Sequence, residues 1–474
     1  MPAIRTLSQA RVHPATPSER PQTVLLSILD ATHVATGTAA TILLYDAAPS
    51  TLALHTSLAH TLDLYPQWAG RLHRQPGRPG RVMLTFGAGA DTDPGVAYLA
   101  AAADNPIREL LPGPGRVRDL SHFPEKDLLP ECALSLTDLN ASLPNLAIKV
   151  TTFTDGGVAI AFRIAHPLAD AVCLAGFALD WAATTRSACQ YPTPYLGDWP
   201  VFDPRCLDTC AAGNPNGDIP DGRLNPLPTH EYDPWISENC PVPGKWTQPP
   251  EEFQSLALDP PGRQIPWEDW DPAAPVSQTV VHFPEMALRR LRDEVVGVSD
   301  SMLSYHDVLL AHLWNCVARA RVTDGQEPDL NEIIYLTYAL GIRKRVHPAL
   351  PERSMGSPTI SAAIPGSPSQ VCGGGELAHL AKHIRAMVKE FTPGRVAGYL
   401  GMKMQQQCPH RYWPAFMGRR HLMATSWVGT RLYEVDFGNG GPGFVKAVFA
   451  RVDGIMQLME GRPGGAMREL WGGF

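Results

Sequence analysis

The chain has 474 residues, of which 44% are hydrophobic, 8% aromatic and 18% charged. This composition can build a large core and excludes global disorder, and at roughly 150 residues per domain the length predicts two or three domains, or two large ones. The formal net charge of −7 provides no overall positive field, which argues against nucleic acids and anionic membrane surfaces as partners.

The first predicted helix follows Ser50, which is placed to cap it. Apolar side chains then recur at spacings of four and three and form one stripe, before Pro66 ends the helix. The stripe consists of Leu54, Leu58, Leu62 and Tyr65.

A β-hairpin is predicted farther along the first half. Residues 146–154 and 158–165 have strand character and flank the glycine turn Asp155-Gly156-Gly157. Pro167 ends the second strand, and residues 168–185 have the pattern of a packed helix. His166 therefore lies at the end of a strand, just before a helix.

A proline-rich segment divides the chain. Residues 191–275 contain 18 of the 46 prolines, and proline disrupts both helix interiors and sheet ladders. We therefore predict an N-terminal lobe (residues 1–185), a crossover loop (186–275) and a C-terminal lobe (276–474).

In the second half, Ser304 and Asp307 have the spacing of a capping box ahead of a helix over residues 308–321. Strands are predicted over residues 335–345, which end in positive charge, and over 431–438, which lead into a glycine turn.

The nine cysteines follow no repeated spacing, which favours a reducing compartment. Cys206 and Cys210 are the closest pair, but no second pair follows at the spacing of a zinc site, so we expect no metal. No signal-peptide pattern and no run of about 18 apolar residues is present. A cytoplasmic protein without membrane contact is expected.

His166 and Asp170 lie four positions apart where a strand passes into a loop. Such a pair occurs roughly once by chance in a chain of this composition. One interpretation is structural: a hydrogen-bonded histidine, with an aspartate whose charge suits a helix N-terminus. The other is chemical, with the imidazole as a base, and the motif alone does not decide between them.

Further segments occur in the order of one family, and with them the chain resembles the BAHD acyltransferases, acyl-CoA-dependent enzymes of specialised metabolism, as a microbial or fungal-like member. The matches extend from about residue 23 to about residue 460. They are Leu26-Ser27-Ile28-Leu29-Asp30, residues 57–72, His166-Pro167-Leu168-Ala169-Asp170, the helix from Ser304 through Trp314, residues 341–345, Thr425-Ser426-Trp427, and residues 436–442.

The resemblance implies an α/β fold of two chloramphenicol-acetyltransferase-like lobes, each a mixed sheet with helices, joined by a long crossover loop. It also implies an O-acyltransferase that moves an acyl group from acyl-CoA, its co-substrate, to a hydroxyl of a specialised metabolite. Donor and small-molecule acceptor would meet in a ternary complex, without an acyl-enzyme and without a bound cofactor. We expect a monomer.

Roles for individual residues also come from the resemblance. His166 would be the general base. Thr425 and Trp427, two apart on one side of a strand, would donate a hydroxyl and an indole N–H to the oxyanion. Asp170 would turn away from the substrate toward a structural arginine.

Binding and structural roles follow in the same way. His33 would line the mouth of the acceptor pocket, where it either binds a polar acceptor group or is exposed. Asp436 and Gly438 would form a structural turn, with Asp436 paired to Arg343. The CoA phosphates would be held by Ser304, Tyr305, Lys344 and Arg345.

The sequence departs from the family pattern at two positions, and a third position separates it from related condensation domains. Asn439 replaces a tryptophan of the C-terminal motif, which we expect to alter packing near the CoA end and leave catalysis intact. Gly341 stands where the basic strand often carries an acid. Ala165 stands where related condensation domains carry a second histidine, which favours free acyl-CoA over a carrier-protein substrate.

Two alternatives remain open at the level of sequence. An amine-acylating enzyme would use the same base and oxyanion groups, and a catalytically silent protein could use the two lobes as a small-molecule binding scaffold. No Gly-x-Ser-x-Gly elbow is present, so no serine esterase is predicted.

Overall fold

The computed structural model describes most of the chain. The described residues are 3–47, 49–88, 93–111, 117–136, 138–139, 141–190, 198–211, 226–236, 240, 247–297, 303–323, 332–373 and 377–461.

Fifteen strands and ten α-helices occur in the described residues. The strands are β1 (Ile4–Val12), β2 (Gln22–Leu25), β3 (Thr38–Tyr45), β4 (Arg71–Gln75), β5 (Arg78–Phe86), β6 (Val96–Ala103), β7 (Val117–Asp119), β8 (Leu146–Thr152), β9 (Val158–Ala165), β10 (Thr279–Val281), β11 (Ile334–Gly341), β12 (Thr359–Gly366), β13 (His421–Ser426), β14 (Phe444–Ala447) and β15 (Ile455–Leu458). The helices are α1 (Ile28–Thr32), α2 (Thr51–Leu62), α3 (Glu125–Leu128), α4 (Ala171–Gln190), α5 (Arg205–Ala211), α6 (Glu285–Val296), α7 (Tyr305–Thr323), α8 (Pro368–Cys372), α9 (Leu377–Lys389) and α10 (Pro393–Gln405).

The first lobe is built on a six-stranded sheet in the order β1-β6-β8-β9-β3-β14. Its β8–β9 hairpin is paired from Leu146 opposite Ile164 to Thr152 opposite Val158, which confirms the predicted hairpin. The stripe of α2 is buried as predicted, and the Ser50 hydroxyl accepts the Ala53 N–H at the start of that helix. Apolar burial therefore holds this sheet and its helices as one core.

The second lobe carries a four-stranded sheet in the order β12-β11-β13-β15. Only the β11–β12 pair is antiparallel, and β11–β13 and β13–β15 are parallel. Leu336 and Leu422 of this sheet pack in one core with Leu310 and Trp314 of α7 and Ile384 of α9. The predicted mixed sheets with helices in two lobes are confirmed.

Strand pairing crosses the predicted lobe boundary. β14, near the C-terminus, pairs with β3 of the first lobe, and β10 pairs with β7. Part of the segment 276–474 thus completes the sheet of the first lobe. The division at residues 185 and 276 stays a prediction.

Two local predictions need correction. The strand predicted over residues 431–438 is instead a 3-10 turn at Leu432–Glu434, because Arg431 has a φ of +64° and its N–H is bonded to Glu460. Within the proline-rich segment, residues 205–211 contain no proline and form α5. Cys206 and Cys210 lie on this short helix.

No described helix is long and apolar enough to cross a bilayer. Among the described histidine, cysteine and acidic side chains, no group of three or more is arranged to hold a metal ion.

Candidate functional site

The site is built around the end of β9. A 3-10 turn, His166–Leu168, follows the strand, and the His166 N–H donates to the Gly37 carbonyl at 3.2 Å. Pro167 has no N–H to continue the ladder, so the chain leaves the sheet here. The buried strand thus carries a half-buried imidazole at its end.

Ser357, which no sequence pattern indicated, contacts His166 directly. Its Oγ lies 2.9 Å from His166 Nδ1, and the same hydroxyl donates to the His166 carbonyl. The Ser357 N–H donates to Asp30 Oδ1 at 2.7 Å, and Ser27 Oγ donates to Asp30 Oδ2 at 2.6 Å. Burial raises the pKa of the Asp30 carboxyl to about 6, although these hydrogen bonds oppose the rise. A buried hydrogen-bonded chain thus joins Asp30, Ser357 and His166.

His33 is stacked on His166. The two ring centroids are 4.6 Å apart with an interplanar angle of 10°, and His33 Nε2 lies 3.1 Å from Thr359 Oγ1. Burial first, and the nearby His166 second, lower the pKa of His33 to about 3. His33 is half-buried and not exposed, and its ring contacts the candidate base itself. The binding of a polar acceptor group by His33 stays a prediction.

Asp170 turns to an arginine, and that arginine is Arg343. The guanidinium donates to both carboxylate oxygens, with Nη1–Oδ2 and Nη2–Oδ1 distances of 2.5 and 3.0 Å. Asp170 Oδ1 also accepts the Cys173 N–H at 2.9 Å, at the start of α4. This bidentate ion pair attaches the segment that follows His166 to Arg343 of the second lobe.

The expected pair between Arg343 and Asp436 does not form, because Arg343 is engaged by Asp170. Asp436 Oδ1 instead accepts the N–H groups of Gly438 and Gly440, at 2.7 and 2.8 Å. Gly438 has a φ of +119°, a conformation that favours glycine. Asp436 anchors its own turn, and Asn439 lies exposed on that turn instead of packing.

Thr425 and Trp427 lie at the end of β13. Thr425 is half-buried and lies opposite Gln457 in the parallel pairing of β13 with β15. Trp427 lies just beyond the strand, and its backbone N–H donates to the Leu458 carbonyl at 2.8 Å. Trp427 is 3% exposed and packs in the core of the first lobe. Trp427 thus packs in the same core as Ala165 and Leu168, the two residues that flank His166-Pro167.

The helix end predicted to meet CoA phosphate is already capped. The N–H and hydroxyl of Ser304 donate to Asp307 Oδ2 at 2.8 and 2.7 Å, and that carboxylate also accepts from Arg385. Tyr305 is 42% exposed, and its ring contacts the guanidinium of Arg292. The Ser304 amide is therefore occupied by a carboxylate.

The two basic candidates after β11 differ in their surroundings. Arg345 Nη1 donates to the carbonyls of Val388, in the last turn of α9, and of Phe391, just past that helix, at 3.0 and 3.3 Å. Lys344 is exposed. Arg345 thus satisfies backbone acceptors at a helix end, and Lys344 presents its charge to solvent.

An open cavity of about 950 Å³ lies beside α4 and the segments 352–355 and 429–434. On its wall, Arg353 binds Asp180 and lies 2.9 Å from the Tyr65 hydroxyl. Met355 lines the cavity two residues before Ser357. Apolar and charged side chains share the lining.

Comparison with known proteins gave matches over nearly the whole chain. The model of the family described as Transferase family matches residues 3–471. The Alternaria alternata protein named acyltransferase AFT15-1 is 24% identical over 425 residues, which are 86% of this chain and 79% of that protein. Agmatine coumaroyltransferase-1 of Hordeum vulgare is 23% identical over 92% of this chain and 87% of its own.

Solved structures share the fold. The crystal structure of F. graminearum TRI101 complexed with ethyl coenzyme A superposes with a TM-score of 0.67 at 15% identity, over 96% of this chain and 95% of that one. This likeness supports the two-lobed architecture described above.

Proposed function

Because the chain belongs to the Transferase family, the BAHD acyltransferases, we propose that it transfers an acyl group from CoA to a hydroxyl of a specialised metabolite. Membership makes the protein an acyl-CoA-dependent acyltransferase, with acyl-CoA as its co-substrate. The hydroxyl acceptor and the residue roles below are the proposed part. The observation that carries them is the imidazole of His166 at the end of β9, bonded to Ser357.

In this proposal His166 takes the proton of the acceptor hydroxyl as the oxygen attacks the thioester carbonyl. The tetrahedral oxyanion then collapses, the C–S bond breaks, and the proton passes from His166 to the leaving CoA thiolate. Burial, with a smaller contribution from Asp170, raises the pKa of the nearby Cys173 thiol to about 12. Cys173 is thus a thiol and a poor nucleophile at neutral pH, which supports direct transfer without an acyl-enzyme.

The pH dependence tests whether His166 works as a neutral base. Burial lowers the pKa of His166 below its ordinary value of 6.5, against the opposing charge of Asp170. Since the base must be unprotonated, activity is present above this pKa and is lost as the pH falls through it. We expect the acid limb of kcat/KM against pH to lie below 6.5. A limb above that value would contradict the assignment.

Trp427 is proposed to donate its indole N–H to the oxyanion. Trp427→Phe keeps an aromatic ring in the core but removes this donor, so we expect kcat to fall about 10²- to 10³-fold with little change in KM. Steady-state kinetics at saturating acyl-CoA measures the change. Trp199→Phe, at a tryptophan that is 63% exposed, is the matched control. Equal turnover in the two variants would remove Trp427 from the mechanism.

We propose that CoA and the acceptor bind at two different places on the protein. The exposed groups Lys344 and Tyr305 are the accessible candidates for the CoA phosphates. The 950 Å³ cavity is the proposed space for the acceptor, since Met355, two residues before Ser357, lines it; His166 is not part of its lining. We also propose a reducing compartment such as the cytoplasm, on the irregular spacing of the cysteines in the sequence.

Amine acylation is the second candidate function. It is favoured by one comparison, because a relative is named agmatine coumaroyltransferase. The exposed carboxylates of Asp198 and Glu352 line the cavity and could attract a cationic acceptor. The same imidazole would then take a proton from the amine.

Matched acceptors separate the two functions. The purified full chain is incubated with acyl-CoA donors of several classes and with acceptor pairs that differ only in a hydroxyl or an amino group. Release of the CoA thiol and the mass of the product are measured. Acceptor-dependent CoA release with an ester product is expected. An amide as the only product would favour the second function, and no acceptor-dependent release from any donor would overturn both.

A further inference from the structure

The hydrogen bonds around His166 determine which ring nitrogen carries the proton. The Ser357 hydroxyl lies 2.9 Å from His166 Nδ1 and donates its hydrogen to the His166 carbonyl. A hydroxyl has a single hydrogen, and a carbonyl oxygen can only accept. The Ser357 oxygen must therefore act as the acceptor toward Nδ1, and Nδ1 must bear the hydrogen. This leaves the lone pair of the neutral ring on Nε2.

Ser357 itself is held in place by buried neighbours. It is fully buried, and its N–H donates to Asp30 Oδ1 at 2.7 Å. The preceding Gly356 has a φ of +100°, and a Cβ at that position would lie 2.7 Å from the same Asp30 oxygen. The backbone of residues 356–357 thus lies directly against a carboxylate that Ser27 also binds. The hydroxyl has little freedom to follow a moving imidazole.

We infer that Ser357 is a positioning residue that holds His166 in the tautomer with hydrogen on Nδ1 and the basic lone pair on Nε2. Asp30 supports this role through the backbone N–H of Ser357. The tautomer follows from the hydrogen bonds alone. Its consequence for catalysis rests on the proposed function of His166 as the base.

The consequence is specific to proton transfer. In solution, neutral imidazole of a histidine side chain favours the opposite tautomer, with hydrogen on Nε2. Without the Ser357 acceptor, Nδ1–H keeps only the backbone carbonyl of His166 as a partner, and part of the population would carry hydrogen on the nitrogen that must accept the proton. Substrate contacts would be unaffected, so the loss falls on kcat and not on KM.

The test combines nuclear magnetic resonance with kinetics on the full chain. Protein labelled with ¹⁵N at histidine is compared with Ser357→Ala, which deletes the acceptor, and with Ser357→Thr, which keeps a hydroxyl. The His166 signals are identified by their absence in His166→Gln. We expect hydrogen on Nδ1 in the parent and in Ser357→Thr, and a shift toward hydrogen on Nε2 in Ser357→Ala. We expect kcat of Ser357→Ala to fall roughly 10- to 100-fold, with KM within about twofold and recovery in Ser357→Thr.

The outcomes that overturn the inference are distinct from failure of the proposed function. Hydrogen on Nε2 in the parent, or an unchanged tautomer in Ser357→Ala, would overturn the inference whatever the activity. A changed tautomer with full kcat would overturn the positioning role. Full kcat in His166→Gln as well would show that the failure lies in the proposed base. The tautomer is measured without substrate. The ¹⁵N signals of His166 in Ser357→Thr therefore still test the inference if the extra methyl group lowers activity.

Discussion

Replacing His166 by alanine is expected to lower kcat about 10²- to 10⁴-fold, the range that a positioned base contributes. The residual rate would come from holding the acceptor near the thioester and from the proposed oxyanion donor Trp427. Binding of acyl-CoA should be retained, because in the proposed mechanism the imidazole contributes to proton transfer and not to recognition of the nucleotide. The measurement is single-turnover and steady-state release of the CoA thiol at saturating donor.

Two further variants sharpen this result. His166→Gln keeps a polar side chain of similar length beside Ser357 but cannot take the proton, so it should be as slow as the alanine variant. His379→Ala changes an exposed histidine of α9 and should leave kcat unchanged. If His166→Gln kept the parental kcat, another group would have to be the base.

Asp170→Asn is expected to lower the free energy of unfolding by about 3 kcal/mol. The side chains of Asp170 and Arg343 are 7% and 12% exposed, and removing one charge of a buried pair leaves the other uncompensated. Denaturant unfolding with an unchanged m-value would measure the loss. Any fall in kcat should be smaller than that of His166→Ala, because Asp170 contacts Arg343 and the start of α4 and acts on His166 only through the chain.

An exposed ion pair provides the control for this prediction. Glu285 and Arg289 form a pair with 42% and 63% exposure on α6, so Glu285→Gln should cost less than about 1 kcal/mol. The double variant Asp170→Asn with Arg343→Met should recover part of the stability, because it removes the uncompensated charge. Parental stability of Asp170→Asn together with a large loss of kcat would instead give Asp170 a chemical role.

Elements with a strong local pattern are predictable from the sequence. The stripe on α2, the hairpin β8–β9 and the capping of α7 by Ser304 all depend on side chains within a few positions of one another. Their physical causes are burial of one face, a glycine turn and satisfaction of the first helical N–H groups. The segment 431–438 shows where such patterns fail. Glu460 accepts the N–H groups of Arg431, its first residue, and of Gly429 just before it, and the strand predicted from the alternation does not form.

Contacts between residues that are far apart in the sequence are not predictable from such local patterns. Asp170 and Arg343 are 173 residues apart, and His166 and Ser357 are 191 residues apart. The family resemblance implied a pair between Asp436 and Arg343, and only the packing of the lobes shows that Arg343 binds Asp170. Ser357 lies in no motif that would distinguish it from the chain's other serines.

By itself, the sequence was sufficient for the local elements, for the two-lobed family fold and for His166 as the candidate base, because periodicity and the order of short motifs are properties of the chain. The tertiary structure alone decided the pairing of β14 with the first lobe, the partner of Asp170 and the contacts of His166 with Ser357 and His33. Hydrogen bonds and ion pairs between distant segments form only where the whole core brings those segments together, and no local pattern records which segments will meet.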